Sequence, residues 1–137
     1  MVAASRVIDP DLIRALERDN QDFCRAMSAR DVDAAMACVG DSPDLINVLW
    51  GSVLRGSESF RGALIQMFEQ HPSVHLQINE CSFVPAGDGV IAVGTATYVL
   101  RDRAGVEKRI VERWTDLRRV IDCKWRVVLN HATVVPE

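Results

Sequence analysis

The sequence predicts an α+β domain in which the helices come first and a sheet follows. Up to about residue 71, apolar residues recur every three or four positions, as in amphipathic helices. From Val74 onward they alternate with polar residues, as in half-buried strands. Because the two patterns are segregated along the chain, we expect three N-terminal helices packed on a curved, mainly antiparallel sheet.

Two helix starts are marked by aspartates. Asp9 precedes Pro10, which combines an N-cap acceptor with a residue suited to the first helical turn. The apolar stripe of this first helix includes Phe23, and we expect the helix to end near Arg30. Asp31 is suited to cap a short second helix, which ends at Gly40-Asp41-Ser42-Pro43.

The middle of the chain predicts a small hairpin and a third helix. Residues 45–50 and 53–56 are short apolar segments around Gly51. Ser57 is the expected N-cap of the third helix, whose apolar stripe includes Met67. The helix should end at His71, because Pro72 disfavours helical geometry at the residue before it.

Four long strands are expected after the third helix. The first begins at Val74, and the others cover residues 90–100, 106–120 and 125–134. Short turns that contain glycine or aspartate separate them, so each strand should pair with the next as an antiparallel meander.

Composition limits the function classes. The chain has 137 residues, which suits one domain over 1–137. A net charge of −3 argues against a nucleic-acid surface, and no apolar run reaches the length of a membrane span. The N-terminus does not resemble a signal peptide, and four scattered cysteines suggest reduced thiols, so we expect a cytoplasmic protein. The histidines and cysteines lack ligand-like spacing, and we assign no metal and no cofactor.

His131 is the first candidate for chemistry. Strand alternation places it on the same face as Trp125, Val127 and Leu129, which we take as the inner face. A neutral imidazole at the edge of a pocket would exchange protons near neutral pH. The alternative is a structural histidine at the edge of the core that is hydrogen-bonded to a neighbouring side chain or carbonyl group.

The preceding strand supplies Arg113 and Thr115, which share one face with Val111 and Leu117. Arg113 would bind a carboxylate or enolate in the pocket, or pair with a nearby acid. Trp50 and Tyr98 are expected to line the pocket together with Phe23, Met67 and Thr115, although aromatic residues at such positions often serve packing alone.

Four segments in this order resemble the nuclear transport factor 2-like superfamily, in its SnoaL-like and ketosteroid isomerase-like branch. They are FCRAMSARDVDAAMACVGD, LRGSESFRGAL, ERWTDLRR and WRVVLNHAT. The resemblance implies a cone-shaped fold over nearly the whole chain, with a pocket at the open end.

The resemblance also bears on activity. Isomerases of the superfamily use a tyrosine on the first helix, where this sequence has Phe23, and an aspartate base, where it has Asn47 or Leu49. An isomerase, cyclase or hydrolase without metal is therefore compatible with the sequence, but a true ketosteroid isomerase is not. Two functions stay open: a pocket for a small, mostly apolar molecule, and a non-catalytic association domain. We expect a homodimer through the sheet under either.

Overall fold

The computed structural model describes residues 7–136. Its helices are α1 (Pro10–Ser28), α2 (Val32–Val39) and α3 (Ser57–Gln70). Its strands are β1 (Ile46–Leu49), β2 (Ser52–Arg55), β3 (Ser73–Ala86), β4 (Gly89–Arg101), β5 (Glu107–Ile121) and β6 (Lys124–Val134). The predicted α+β class, with three N-terminal helices and a mainly antiparallel sheet, is confirmed.

The helix starts follow from local chemistry. The Asp9 side chain accepts the Asp11 N–H at 2.7 Å, and Asp31 accepts the Ala34 N–H at 3.0 Å, as the N-cap prediction requires. The third start differs from the prediction, because Gly56 is the N-cap and Ser57 is the first helical residue. The buried Ser57 hydroxyl instead donates to Asp41 at 3.0 Å and thereby ties α3 to the loop after α2.

All six strands form one sheet in the order β2-β1-β6-β5-β4-β3. Neighbouring strands are antiparallel, except that β1 runs parallel to β6. The parallel contact joins residues far apart in sequence, so alternation within either strand could not predict it. It places Asn47 beside Asn130.

The helices pack on one face of the sheet, which we call the inner face. Leu16 and Met27 of α1 and Leu64 of α3 are almost completely buried there. On β4 the inner positions are small: Ala92, Gly94 and Ala96. A Cβ at Gly94 would lie 2.3 Å from the Trp114 ring, so the missing side chain makes room for that indole.

A β-bulge interrupts β6. Leu117 of β5 pairs with Leu129, whereas the next residue, Arg118, pairs with Val127. Val128 is therefore an extra residue, and the alternation of side chains reverses there. Trp125 and Val127 point inward before the bulge, and Asn130 and Ala132 point inward after it.

All four cysteines are free; Cys24, Cys38 and Cys81 are half-buried, and Cys123 is exposed. Within residues 7–136, no helix is long and apolar enough to cross a membrane.

Candidate functional site

A cavity of about 120 Å³ lies between the helices and the inner face. Its wall is mostly apolar, with Phe23, Val39, Phe60, Leu64, Met67 and Leu76 among its residues. Seven polar or charged residues also reach it: Asp19, Asn20, Asn47, Glu112, Asp116, Arg118 and Asn130. An apolar cavity with a few placed polar groups is typical of a small-molecule site.

Glu112 is the titratable group at one end of the cavity. Only 6% of the residue is exposed, and its carboxylate accepts the Trp50 indole N–H at 2.7 Å. Burial raises its pKa from 4.5 to about 7, and the Trp50 hydrogen bond acts in the opposite direction. A carboxyl group in this range can both take up and release a proton near neutral pH.

Tyr98 lies beside Glu112 on the neighbouring strand. Ala96 is opposite Glu112 and Tyr98 is two residues further along β4, on the same face. Its ring meets the Trp50 ring edge to face, with centroids 5.2 Å apart. Burial and the nearby Glu112 carboxylate raise the pKa of Tyr98 well above 10, so the hydroxyl keeps its proton and can act as a donor.

Asp116 and Arg118 form a buried ion pair further along β5. The Arg118 Nε donates to one Asp116 oxygen at 2.8 Å, and Nη2 donates to the other at 3.0 Å. Trp114 donates to the same carboxylate at 3.1 Å, and Asn20 of α1 accepts from Arg118 Nη2 at 2.7 Å. These bonds hold both charges in a fixed orientation at the cavity wall.

The parallel contact between β1 and β6 adds an amide pair. Asn130 Nδ2 donates to Asn47 Oδ1 at 2.9 Å, and both residues line the cavity. Asn47 is 4% exposed. Since Asn130 pairs in register with Asp116, the three residues form one row across β1, β6 and β5.

The predicted pocket residues divide into three groups. Phe23, Met67 and Tyr98 line the cavity. Trp50 lies outside the lining, behind Glu112 and Tyr98, where it orients the carboxylate. His131, Arg113 and Thr115 are exposed on the opposite, outer face of the sheet.

The predicted inward position of His131 is wrong because of the bulge at Val128. Alternation counted from Trp125 holds only as far as Val127. Beyond the extra residue, His131 turns outward, between Thr115 and Val48 on the neighbouring strands. His131 is not among the residues that line the cavity.

The predicted inward positions of Arg113 and Thr115 are wrong for a different reason. Val111 and Leu117 suggested a buried face, but they belong to an aliphatic area on the outer face. The inner face of β5 carries Glu112, Trp114, Asp116 and Arg118, all of them buried. Its charges are tolerated because each has a partner within the site.

A combined pattern would have identified the inner face of β5. The small residues Ala92, Gly94 and Ala96 leave space above β4, and bulky or hydrogen-bonded side chains on β5 fill part of it. Asp116 and Arg118 are two residues apart and therefore on one face, which permits a mutual ion pair. The inward positions of Asn130 and Asn47 could be predicted only with knowledge of the bulge and of the parallel contact between β1 and β6.

No group of three or more histidine, cysteine, aspartate or glutamate residues is placed to hold a metal ion within residues 7–136. Several polar side chains of the cavity hydrogen-bond to one another.

Comparisons with solved structures agree with this architecture. A candidate calcium/calmodulin dependent protein kinase II association domain from Xanthomonas campestris superposes with a TM-score of 0.78 at 17% identity, over 100% of this chain and 99% of that one. A candidate dehydratase of the nuclear transport factor 2-like family from Streptomyces avermitilis gives 0.80 at 16%, over 93% and 100%. A candidate aromatic ring hydroxylase from Novosphingobium aromaticivorans gives 0.86 at 12%, over 96% and 94%.

These identities are low enough that the likeness shows the fold alone, which is the nuclear transport factor 2-like fold predicted from the sequence. None of the curated proteins matches the chain significantly. The SnoaL-like domain family, however, matches residues 20–128, which is most of the chain. This protein therefore belongs to the SnoaL-like domain family.

Proposed function

We propose that the cavity binds a small, mostly apolar molecule and that Glu112 exchanges a proton with it. The observation that carries this proposal is a buried carboxyl group in an otherwise apolar cavity. Its pKa of about 7 suits a general acid or base at neutral pH. The neighbouring Tyr98 hydroxyl is a suitable donor to an oxygen that gains charge during the transfer.

The proposed reaction class is proton abstraction or delivery at a carbon next to a carbonyl group. Glu112, as carboxylate, would remove the proton, and the electron pair would move to the carbonyl oxygen as an enolate. Tyr98 would donate to that oxygen. Return of the proton from Glu112 to the same or another carbon completes an exchange or an isomerisation.

A panel of cyclic and aryl ketones in deuterium oxide tests this function. We expect the wild-type protein to accelerate deuterium incorporation next to the carbonyl, followed by proton NMR, and Glu112→Gln to remove the acceleration. Glu107→Gln is the matched control, because Glu107 lies on the same strand but is exposed and pairs with Arg101. Equal exchange by Glu112→Gln and wild type would contradict the assignment.

The outer face of the sheet favours a second proposal, association of two copies of the chain. Ile91, Leu117, Leu129 and Ile46 form one aliphatic row across four strands in register. Val93 and Val48 continue it in the next row, on either side of Thr115 and His131. We call these six aliphatic residues the outer patch. A two-fold axis through the outer patch would bury it against its own copy.

The outer patch is also the feature that supports the alternative of a non-catalytic association domain. A cavity that binds no member of the ketone panel, in a protein that still dimerises, would favour that alternative over the proton-transfer function.

A further inference from the structure

Two buried side chains at the Asp116 end of the cavity hold N–H groups without a partner among residues 7–136. Asn47 accepts from Asn130 through Oδ1, which leaves both hydrogens of Nδ2 free. Arg118 uses Nε and Nη2 for Asp116 and Asn20, which leaves Nη1 free. Both residues are more than nine-tenths buried, and both line the cavity.

Buried donors are expected to have acceptors. In the described part of the chain, every side-chain nitrogen or oxygen atom that is sealed from solvent has a hydrogen-bond partner. The free donors of Asn47 and Arg118 are therefore not sealed from solvent, and because both residues line the cavity we infer that the donors face it. An acceptor atom of a ligand would satisfy them there.

The charge balance indicates which acceptor fits. Asp116 lies against Arg118 and balances its positive charge. Asp19 also lines the cavity at this end, and Arg118 is close enough to act on its carboxyl group electrostatically. An added carboxylate would face two acids, whereas a neutral carbonyl oxygen would accept the free N–H groups without that repulsion.

This end is well separated from Glu112. Four residues along β5 correspond to about 13 Å between Glu112 and Asp116. Trp114 lies between them on the same face, with Leu49 and Ala96 on the wall nearby. A ligand that uses both ends must therefore be elongated and apolar in its middle.

We propose that Asn47 and Arg118 bind a neutral carbonyl oxygen at one end of an elongated ligand that is apolar in its middle and whose other end lies at Glu112. The part of this inference that concerns Glu112 rests on the proposed function. The part that concerns Asn47 and Arg118 stands on their free donors and can be tested alone.

Three fluorescent two-ring probes separate the contribution of a carbonyl oxygen to binding from the contributions of the rings and of a negative charge. They are 6-acetyl-2-naphthol, 2-naphthol and 6-hydroxy-2-naphthoate. We expect the acetyl compound to bind about tenfold more tightly than 2-naphthol, which corresponds to one or two added hydrogen bonds. The carboxylate compound should bind more weakly than the acetyl compound. Equal affinities for the acetyl compound and 2-naphthol would overturn the proposal.

Asn47→Asp is the sharpest variant, because an aspartate oxygen still accepts from Asn130 while the free N–H groups are lost. It should remove the preference for the acetyl compound and leave 2-naphthol affinity within about twofold. Gln77→Glu, at an exposed position of β3, adds the same charge outside the cavity and should keep the preference. If Asn47→Asp does not fold, Asn47→Leu, whose side chain has no N–H or O–H group, tests the same loss of donors.

Failure of the proposed carbonyl site and failure of the proposed proton-transfer function give different results. An unchanged acetyl preference in the folded Asn47 variant overturns the carbonyl site, whatever Glu112 does. Loss of the preference in that variant, together with normal ketone exchange by Glu112→Gln, supports the carbonyl site and overturns the proton-transfer function.

Discussion

Trp50 donates its indole N–H to the Glu112 carboxylate at 2.7 Å, although 62 positions separate them in sequence. Trp50 occupies the turn between β1 and β2 with a positive φ of 49°, a conformation that tertiary contacts must hold in place. The carboxylate and the turn thus fix each other, and this hydrogen bond gives the Glu112 carboxylate a defined orientation at the cavity wall.

The raised pKa of Glu112 predicts how stability depends on pH. Its pKa is about 7 in the folded protein and 4.5 ordinarily, so between these values the folded state binds more protons than the unfolded state. The contribution of Glu112 to the free energy of unfolding is therefore fully present below pH 4.5, and it is lost as the pH rises through 7. The loss should reach at most about 3 kcal/mol.

Denaturant titrations of wild type and Glu112→Gln between pH 4 and 9 measure this effect. The free energy of unfolding of Glu112→Gln should decline less with rising pH than that of the wild type, so that the variant is the more stable of the two at pH 8.5. Glu107→Gln should have the same pH dependence as the wild type. A wild-type curve that rises through this range after correction for the control would contradict the assignment.

Trp50→Phe should change the titration of Glu112 in a defined direction. The indole hydrogen bond lowers the pKa of this carboxyl group, so its loss should raise the pKa further. A hydrogen bond to a charged group contributes about 1.5–3 kcal/mol, so the variant should lose more stability at pH 8.5 than at pH 5. Carboxyl carbon NMR follows the titration directly. An equal loss at both pH values would indicate that Trp50 contributes packing alone.

The buried ion pair predicts strongly non-additive substitutions. Asp116→Leu leaves the Arg118 charge buried without its partner, which should cost about 3–5 kcal/mol of unfolding free energy. Exchanging both residues, as Asp116→Leu with Arg118→Met, removes that charge and should cost less than the single exchange. A double-mutant cycle in urea measures the coupling, and additive single effects would show that the pair is weakly coupled.

The outer patch predicts the oligomeric state. Sedimentation should show a dimer at micromolar concentration, and Leu129→Lys, in the middle of the outer patch, should convert it to monomer with unchanged circular dichroism. Val106→Lys is the matched control, because Val106 is also aliphatic and exposed but lies in the loop before β5. A wild-type monomer at these concentrations would remove the dimer proposal.

His131→Ala tests whether a side chain on the outer face of the sheet affects ligand binding in the cavity. Because His131 is exposed on the outer face beside the outer patch, its removal should leave probe affinity and ketone exchange unchanged. Stability should change by about 0.5 kcal/mol or less, as for exposed positions generally. A tenfold loss of probe affinity in the monomeric background would place the side chain in the cavity after all.

Local patterns predicted the elements of the fold well. The aspartate caps, the proline-bounded third helix and the alternation after Val74 are all local signals, and each corresponds to an element of the structure. The apolar cavity residues Phe23 and Met67 followed from helical stripes for the same reason.

The polar half of the site was not predictable in this way. Asn47 reaches the row of Asn130 and Asp116 only through the parallel β1–β6 contact, which no local pattern encodes. Glu112 and Arg118 were hidden because the opposite face of β5 is also partly aliphatic, so hydrophobicity alone could not distinguish inside from outside. The charged groups of Glu112, Asp116 and Arg118 can be buried only because the fold supplies each of them with a hydrogen-bond partner.

The extra residue at Val128 means that β6 behaves as two short strands in opposite phase. A relative of the same length without the bulge would present its equivalents of His131 and Leu129 to the cavity, and its equivalents of Asn130 and Ala132 to the outer face. By contrast, deletion of Val128 would remove the bulge and leave Asn130 and Ala132 facing the cavity, because Val127 and Leu129 would then be consecutive. Alignments across this family should be anchored separately on either side of position 128 before any residue is assigned to the pocket.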